Sequence, residues 1–389
     1  MSVQLQTQLQ LQLHTTKSHH NLSRPYAHSF HGRRSTTPSN PRSPLSNLTF
    51  RSSSTLQRHA LFPLFHYSNE RPKPALRIVA GFSVADEDRV AHSPAKLLRR
   101  ILGSPGIHQS PACFDALSAK LVERAGFHCC FVSGFSVSAA RLGMPDAGLI
   151  SYGEMVEHGR LITQAVSIPV IGDADTGYGN AMNVKRTVKE FIQAGFAGIM
   201  LEDQLSPKAC GHTQGRKVVS REEAVMRIKA AVDARKESGS DIVILARTDS
   251  RQAVSFEESL WRTKAFADAG ADILFIDALA SKEEMKAFCE TAPLVPKLAN
   301  MLEGGGKTPI LNPSELEDVG FKLVAYPLSL IGVSMQAMLD ALASIKGGHV
   351  PHGSMPSFEK MKEIVGFNSY YEEEKLYATS NHLSSQRAE

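Results

Sequence analysis

The segment Ile242–Asp277, IVILARTDSRQAVSFEESLWRTKAFADAGADILFID, contains one complete unit of the pattern that decides the fold. Its two ends, Ile242–Arg247 and Ile273–Asp277, are short apolar runs typical of buried strands. Phe256–Ala269 between them has apolar residues three and four positions apart, which predicts a helix. Gly270 follows that helix, where a left-handed cap is expected. The segment is therefore predicted to be a strand–helix–strand unit.

The same alternation extends from about residue 105 to residue 350. Eight strands with helical segments between them, followed by a last helix over Leu328–Ile345, predict a (β/α)8 TIM barrel. An open doubly wound sheet is the alternative, but no GxGxxG motif follows the first strand. Four helices are predicted to end in a glycine: Gly126, Gly195, Gly270 and Gly320. The predicted strands are Ile107–Ala112, Phe127–Ser133, Ile168–Gly172, Gly198–Glu202, Ile242–Arg247, Ile273–Asp277, Val295–Ala299 and Lys322–Tyr326.

The composition excludes two classes of protein. Hydrophobic residues make up 42% of the chain and charged residues 21%, as in ordinary globular proteins. No apolar run approaches the roughly 20 residues that span a bilayer, so we expect no membrane insertion. Residues 1–79 carry ten Lys or Arg and one acidic residue, whereas the remainder carries 33 basic and 38 acidic residues. The basic character belongs to the N-terminal segment, so we expect no nucleic-acid partner.

Residues 1–79 are rich in Ser, Thr, Arg, His and Pro, which is typical of an organelle transit peptide. The abundance of Ser and Pro favours a chloroplast destination over a mitochondrial one, with cleavage near Ala80. A disordered interaction tail is the alternative. Residues 80–104 are predicted to be a linker and an N-terminal helix, residues 105–350 the catalytic barrel, and residues 351–389 a C-terminal helical extension and tail.

The five cysteines predict neither a disulfide framework nor a zinc site, because their number is odd and no CxxC pair occurs. Cys210 differs from the others by lying in a polar, glycine-containing segment between Lys208 and His212. A nearby ammonium or imidazolium would favour its thiolate. Cys210 is therefore a candidate to donate or accept a proton beside an enolate, and an incidental exposed cysteine is the alternative.

Polar side chains end six of the predicted strands, where the active sites of barrel enzymes are assembled. Charges of both signs among them predict a site for an anionic substrate and a metal ion. The residues are Ser133, Asp173 with Asp175, Glu202 with Asp203, Arg247 with Asp249, Asp277 and Asn300.

Four carboxylates are candidate metal ligands: Asp146, Asp173, Asp175 and Glu202. An all-oxygen set suits Mg2+ better than Zn2+. Alternatively, Asp173 or Asp175 caps the helix that is predicted to begin near Asn183.

Arg247 is the candidate clamp for a substrate carboxylate, since a guanidinium can donate two parallel hydrogen bonds to it. An ion pair with Asp249 or Glu202 is the alternative, and the two roles can coexist. Asn300 is predicted to bind the same anion or to cap the following turn.

Five motifs together resemble the isocitrate lyase/phosphoenolpyruvate mutase superfamily. They are DADTGYGN at 173–180, LEDQ at 201–204, KACGH at 208–212, ARTD at 246–249 and NMLEGGG at 300–306. The resemblance implies a Mg2+-dependent enzyme, in which Mn2+ can substitute, that makes or breaks C–C or P–C bonds through an enolate-type intermediate. It also implies a homotetramer whose last helix is exchanged between subunits.

The Lys-x-Cys-Gly-His loop resembles the lyase branch rather than the mutase branch. By that resemblance Cys210 is the general acid, in a loop with Lys208 and His212, and Asp146 lies in the outer shell of a magnesium ion held by Asp173, Asp175 and Glu202. The implied substrate-binding residues are Ser133, Gly134, Phe135, Gly211, Arg247, Asp277 and Asn300.

Three departures from the methylisocitrate lyases argue for a smaller substrate. Phe135 stands where those enzymes usually have Gly, Asp277 where they have Glu, and no Arg follows Tyr326–Ser329. We therefore expect a lyase or hydrolase that cleaves a C–C bond of a small 2-hydroxy or 2-keto dicarboxylate, of the 2-alkylmalate or oxaloacetate type. The alternatives are carboxyvinyl-carboxyphosphonate phosphorylmutase or other P–C chemistry, and a catalytically silent barrel that acts as a binding protein.

Overall fold

A computed structural model describes residues 93–210, 215–351 and 355–377, all within one compact unit, Ile78–Glu389. The predicted transit peptide and most of the predicted linker lie outside the described residues. No helix in these ranges is long and apolar enough to cross a membrane. The strands are β1 (His108–Cys113), β2 (Cys130–Val132), β3 (Val170–Asp173), β4 (Gly198–Glu202), β5 (Val243–Thr248), β6 (Ile273–Ile276), β7 (Leu298–Asn300) and β8 (Leu323–Tyr326).

The eight strands form a closed parallel barrel. Each strand from β1 to β5 pairs with the next in parallel, β8 pairs with β1, and β7 pairs with β8. A parallel bridge between Leu274 and Lys297 joins β6 to the start of β7, and the Leu274 N–H donates to the Pro296 carbonyl at 3.0 Å. The predicted (β/α)8 barrel is confirmed.

Helices alternate with the strands and continue beyond the barrel. All four glycines predicted to end helices have positive φ, between 89° and 113°, so each occupies the left-handed region that glycine adopts without strain. The helices are α1 (Pro94–Gly103), α2 (Ala116–Arg124), α3 (Gly134–Val137), α4 (Tyr152–Ala165), α5 (Ala181–Gln193), α6 (Arg221–Glu237), α7 (Ser250–Ala253), α8 (Phe256–Asp268), α9 (Lys282–Glu290), α10 (Pro313–Val319), α11 (Ser329–Lys346), α12 (Phe358–Val365) and α13 (Phe367–Tyr377), and a π-helical turn covers Ser138–Leu142.

Two strands begin three residues later than predicted. β2 starts at Cys130 rather than Phe127, because the Phe127 N–H bonds to the Val122 carbonyl at the end of α2. β7 starts at Leu298 rather than Val295, whose carbonyl accepts a hydrogen bond from the Lys297 ammonium at 2.6 Å. An apolar run in the sequence is therefore longer than the strand it contains when its first residues belong to the preceding turn.

The barrel interior and the helix-facing layer form two separate apolar clusters. In β5, Val243 and Leu245 belong to the interior cluster, whereas Ile244 and Ala246 pack toward the helices. Leu98 of α1 is fully buried and joins the interior cluster, within reach of Gly198 at the start of β4. Helix α1 therefore packs against the amino-terminal end of the barrel, and the carboxyl ends of the strands are left for a site.

Candidate active site at the carboxyl ends of the strands

The alternation of side chains along each strand brings the site residues to one mouth. Six apolar side chains fill the barrel interior: Phe131, Ile171, Met200, Leu245, Phe275 and Leu298. The residue two positions after each of them stays on the same side of its strand and extends beyond the apolar layer. Those residues are Ser133, Asp173, Glu202, Arg247, Asp277 and Asn300.

A cavity of about 240 Å³ occupies this mouth. Its lining is apolar on one part, with Phe135, Leu302 and Leu328, and polar on the other. The polar lining residues are Ser133, Asp146, Asp173, Cys210, Arg247, Asp277 and Asn300. The structure therefore brings eight of the predicted site residues to one cavity. Four further predicted residues contact side chains of this lining: Gly134, Asp175, Glu202 and Lys208. Gly211 and His212 fall outside the described residues.

Lys208 lies among the candidate metal ligands. Its ammonium pairs with Asp146 at 2.9 Å and with Asp175, and all three side chains are buried. Burial alone would lower the pKa of Lys208, but the surrounding carboxylates, Asp175 foremost, raise it well above its ordinary value. Lys208 is therefore an ammonium that holds two of the carboxylates in place.

Asp173 is oriented by backbone groups. Its Oδ1 accepts from the Asp175 N–H at 3.0 Å, and its Oδ2 accepts from the Gly134 N–H at 3.2 Å. A Cβ at Gly134 would lie only 2.8 Å from that Oδ2, so glycine permits this close approach. The alternative that Asp173 or Asp175 caps a helix is wrong, because α5 begins at Ala181 and Asn180 is its N-cap.

Arg247 is held by three carboxylates. Its Nε and Nη2 each donate to Asp249 at 2.9 Å, its Nε lies 3.3 Å from Glu202 Oε2, and its Nη2 lies 3.5 Å from Asp277 Oδ2. The predicted ion-pair alternative is therefore present, and the guanidinium still lines the cavity. Both roles considered from the sequence fit this position.

Arg216 is a site residue that the sequence analysis missed. Its Nη1 lies 2.7 Å from Asp249 Oδ1 and 2.8 Å from Asp277 Oδ2, and its side chain is 1% exposed. Arg216 therefore fixes two of the carboxylates around Arg247. It occupies a polar loop, where a basic residue is ordinarily solvated, so the sequence pattern gives no reason to single it out.

The buried network is strongly negative. Within the described residues it contains six carboxylates and three cations. Burial raises the pKa of Asp175 to about 6 and that of Glu202 well above its ordinary value, because desolvation outweighs the attraction of the nearby Lys208 and Arg247. The carboxylates are Asp146, Asp173, Asp175, Glu202, Asp249 and Asp277, and the cations are Lys208, Arg216 and Arg247.

Cys210 lines the same cavity and is half-buried. Burial, with a contribution from the nearby Asp146 carboxylate, raises the pKa of its thiol to about 11. The Lys208 ammonium lowers the pKa of this thiol, as expected, but burial outweighs its effect. His212, the other cation considered from the sequence, lies outside the described residues. At neutral pH Cys210 is a protonated thiol that can donate a proton.

This arrangement agrees with the comparisons to known proteins. A model of the phosphoenolpyruvate phosphomutase family matches residues 98–346. The chain belongs to the phosphoenolpyruvate mutase family. The superfamily predicted from the five motifs is thereby confirmed, and the chain is an enzyme of the isocitrate lyase/phosphoenolpyruvate mutase superfamily.

Curated relatives of this family member include lyases and a mutase. The chain is 43% identical over 288 residues to 2,3-dimethylmalate lyase of Eubacterium barkeri, covering 73% of this chain and 98% of that protein. It is 40% identical over 286 residues to the chloroplastic carboxyvinyl-carboxyphosphonate phosphorylmutase of Arabidopsis thaliana, covering 72% and 83%. It is 40% identical over 285 residues to the petal death protein of Dianthus caryophyllus, covering 72% and 88%.

Solved structures of the family superimpose on the same region. Oxaloacetate acetylhydrolase in complex with the inhibitor 3,3-difluorooxaloacetate matches with a TM-score of 0.71 at 32% identity, covering 74% of this chain and 99% of that one. Phosphonopyruvate hydrolase in complex with oxalate and Mg2+ matches with a TM-score of 0.66 at 30% identity, covering 73% and 99%.

Proposed function

We propose that this protein is a Mg2+-dependent lyase that cleaves a C–C bond of a small 2-hydroxy or 2-keto dicarboxylate, of the 2-alkylmalate or oxaloacetate type. The observation that carries the proposal is the protonated thiol of Cys210 on the wall of a cavity that also contains Arg247 and Asp173. An acid, an anion-binding group and a carboxylate on one cavity suit cleavage that leaves a carbanion. The similarity to 2,3-dimethylmalate lyase and oxaloacetate acetylhydrolase supports the substrate class.

The charges of the site support a divalent cation. Six buried carboxylates face three cations, and a dicarboxylate substrate would add two further negative charges. No three acidic, His or Cys side chains converge on one metal position within residues 93–210, 215–351 and 355–377. Mg2+ suits such a site, since it commonly takes one or two carboxylates and completes its shell with water and substrate oxygens.

Asp173 is the carboxylate that would hold Mg2+ from the cavity wall, and Asp146, Asp175 and Glu202 would hold its water ligands. When bound, Mg2+ supplies electrostatic stabilisation to negative charge on the substrate oxygens. Mn2+ offers the same preference for oxygen and is expected to substitute for it.

The protein's own residues then account for the bond cleavage. Arg247, already fixed by Asp249 and Glu202, would bind a substrate carboxylate, and Asn300 would add a hydrogen bond to it. A base takes up the 2-hydroxyl proton of a 2-hydroxy acid, or a hydroxyl proton of the hydrate that forms when water adds to C2 of a 2-keto acid. C2 then becomes a carbonyl carbon, and the C2–C3 bond breaks with its electron pair moving to C3. The Cys210 S–H then protonates C3. Lys208, an ammonium paired with Asp146 and Asp175, would stabilise anionic charge that develops on the substrate.

The apolar part of the cavity favours an alkylated substrate. Phe135, Leu302 and Leu328 would contact a substituent on C2 or C3, which they would bury from water. A third carboxylate would find no charged partner among these side chains and would be costly to desolvate. This supports 2-alkylmalates over tricarboxylates as substrates.

A P–C bond mutase is the second candidate, favoured by the 40% identity to carboxyvinyl-carboxyphosphonate phosphorylmutase. The same carboxylates would serve that reaction. Cys210 argues for the lyase, because a mutase that transfers a phosphoryl group needs no general acid at that position. A panel of substrates separates the two.

The test is turnover of oxaloacetate, 2,3-dimethylmalate, methylisocitrate and phosphonopyruvate with Mg2+ and with EDTA. We expect Mg2+-dependent cleavage of the first two, and a decrease in kcat of about 10² to 10⁴-fold in Cys210→Ser. Cys289→Ser is the matched control and should retain full activity. Turnover of phosphonopyruvate alone, or full activity in Cys210→Ser, would overturn the lyase proposal.

We also propose a plastid location for this enzyme. The acid-poor, Ser-rich composition of residues 1–79 supports a transit peptide, and the printed name of the Arabidopsis relative places that protein in the chloroplast.

A further inference from the structure

The loop that carries Cys210 starts and ends at one point of the barrel. Gln204, two residues after β4, forms an antiparallel bridge with Val218. The Leu205 N–H donates to the Lys217 carbonyl at 2.8 Å, and the Val219 N–H donates to the Asp203 carbonyl at 2.9 Å. These contacts hold the base of the loop but lie at least five residues from Cys210. Closer to the thiol, the Lys208 ammonium pairs with Asp146 and Asp175, and the backbone of Ala209 is held by a further side chain.

The side chain of Gln204 supplies that interaction. Its Oε1 accepts from the Ala209 N–H at 3.0 Å, and its Nε2 donates to the Ala209 carbonyl at 3.0 Å. This pair of bonds fixes the orientation of the amide, because the backbone N–H must face the oxygen. The second hydrogen of Nε2 is donated to Glu202 Oε1 at 3.0 Å. One amide therefore connects a candidate metal ligand to the residue that precedes Cys210.

Gln204 is itself firmly held. Its side chain is among the most buried polar groups, at 1% exposed for the residue. The Arg227 Nη1 donates to the Gln204 carbonyl at 2.9 Å and to the Glu202 carbonyl at 3.3 Å. Arg227 is buried as well, and its Nη2 pairs with Glu223 at 2.8 Å. A buried amide whose backbone and side chain are both anchored can hold a loop in one place.

We propose that Gln204 is a positioning residue that holds Cys210 at the cavity by clamping both backbone polar groups of Ala209. Its role in turnover rests on the proposed function, in which Cys210 gives its S–H proton to C3 of the cleaved substrate. A thiol displaced by about 1 Å would still be present but would transfer its proton slowly, since misplacement on that scale can cost about 100-fold in rate.

The kinetic test compares Gln204→Met with wild type. Methionine preserves the length of the side chain and removes its three hydrogen bonds. We expect kcat for 2,3-dimethylmalate at saturating Mg2+ to decrease about 100-fold, while KM stays unchanged. Gln193→Met, the same change at an exposed position of α5, should behave like wild type. Gln204→Glu keeps the acceptor for the Ala209 N–H and should therefore lose less activity than Gln204→Met. Thermal unfolding of Gln204→Glu shows whether repulsion between the new carboxylate and Glu202 has prevented folding.

Two readouts separate positioning from a general structural effect. In the Cys210→Ser background, adding Gln204→Met should cause no further decrease in kcat, because the group it positions is absent. In D2O, wild type should place deuterium on one face of the propionate carbon derived from C3, and Gln204→Met should give both faces as solvent becomes the donor. Additive losses, or a retained single face, would overturn the proposal.

A last readout does not depend on turnover. Iodoacetamide should alkylate Cys210 at least tenfold faster in Gln204→Met, because the released loop exposes a thiol that is half-buried in wild type. Cys289, also half-buried, is the internal control and should react equally in both proteins. An unchanged rate at Cys210 would overturn the positioning role. Absence of 2,3-dimethylmalate turnover in wild type, with faster alkylation in the variant, would instead count against the proposed function.

Discussion

The protonation state of Cys210 is a consequence of its surroundings rather than of its neighbours in the sequence. The motif places a lysine two residues away, but that ammonium pairs with Asp146 and Asp175. Burial therefore outweighs the attraction and raises the pKa of the thiol to about 11. A raised pKa suits a general acid, because the thiol must be protonated to donate its proton.

The pH dependence of turnover should reflect this. A thiol with an ordinary pKa of about 8.5 would lose its proton between pH 8 and 9, and the enzyme would then lose its activity. Because the pKa of Cys210 is raised, the acid form persists to higher pH, and we expect kcat to stay level from pH 7.5 to 9.5 at saturating Mg2+. Steady-state kinetics over that range is the measurement, with Cys289→Ser as the control profile. Burial raises the pKa of Cys289 to about 12, so both proteins should give the same level profile, and a decline in kcat with a midpoint near 8.5 would contradict the prediction.

At the scale of single residues, the sequence predicts some contacts and not others. Arg247 is found from its strand, since it is two positions after the interior residue Leu245. Arg216 is not found, because its partners Asp249 and Asp277 follow β5 and β6, far from it in the sequence. Gln204 stands in the recognised LEDQ motif, yet its hydrogen bonds to Ala209 depend on a loop conformation that periodicity does not encode.

At the scale of elements, the barrel is predictable because its pattern repeats. Apolar strands, amphipathic helices and glycine caps agree with one another along the chain, so the order of the elements follows from local information. The first residues of β2 and β7 do not follow from local information, because they depend on which backbone groups form hydrogen bonds in the preceding turn. The position of the site at the mouth of the barrel is predicted from the strand ends. The short helix α3 at that mouth is not predicted from the sequence pattern.

The first residue of α3 gives a prediction at this scale. In Gly134→Ala the new Cβ would lie 2.8 Å from Asp173 Oδ2 and 3.4 Å from the Lys208 ammonium, so Asp173 must move. We expect Mg2+ affinity to decrease about 10- to 100-fold, as for the loss of other groups that orient a metal ligand. Isothermal titration calorimetry of Mg2+ binding is the measurement.

The matched control is Gly153→Ala in α4, where an added Cβ meets nothing within 4 Å. That change should leave Mg2+ binding unaltered and stabilise the helix by up to about 1 kcal/mol. If Gly134→Ala bound Mg2+ as tightly as Gly153→Ala, Asp173 would not be the carboxylate that holds the ion from the cavity wall.

At the scale of the whole molecule, one helix is too apolar for the surface of a monomer. Helix α11 has 18 residues, of which only Ile331 is buried. Its exposed side chains include Val333, Met338, Leu339 and Leu342, with exposed fractions of 55–69%. Met338, Leu339 and Leu342 lie on one face of the helix, and an exposed apolar face of this kind marks a protein interface. It supports the proposal that the enzyme is a homotetramer in which the last helix of each subunit packs on another subunit.

The assembly therefore gives the last prediction. Light scattering of the purified enzyme should report four chains per particle, and Leu339→Glu should reduce that number, because a carboxylate at this interface would be buried without a partner. Gln336→Glu adds the same charge to a polar position of the same helix and should leave the tetramer intact. Since α11 directly follows Leu328, which lines the cavity, loss of the tetramer by Leu339→Glu should also lower kcat/KM. A monomeric wild type with full activity would show that the apolar surface of α11 serves another partner.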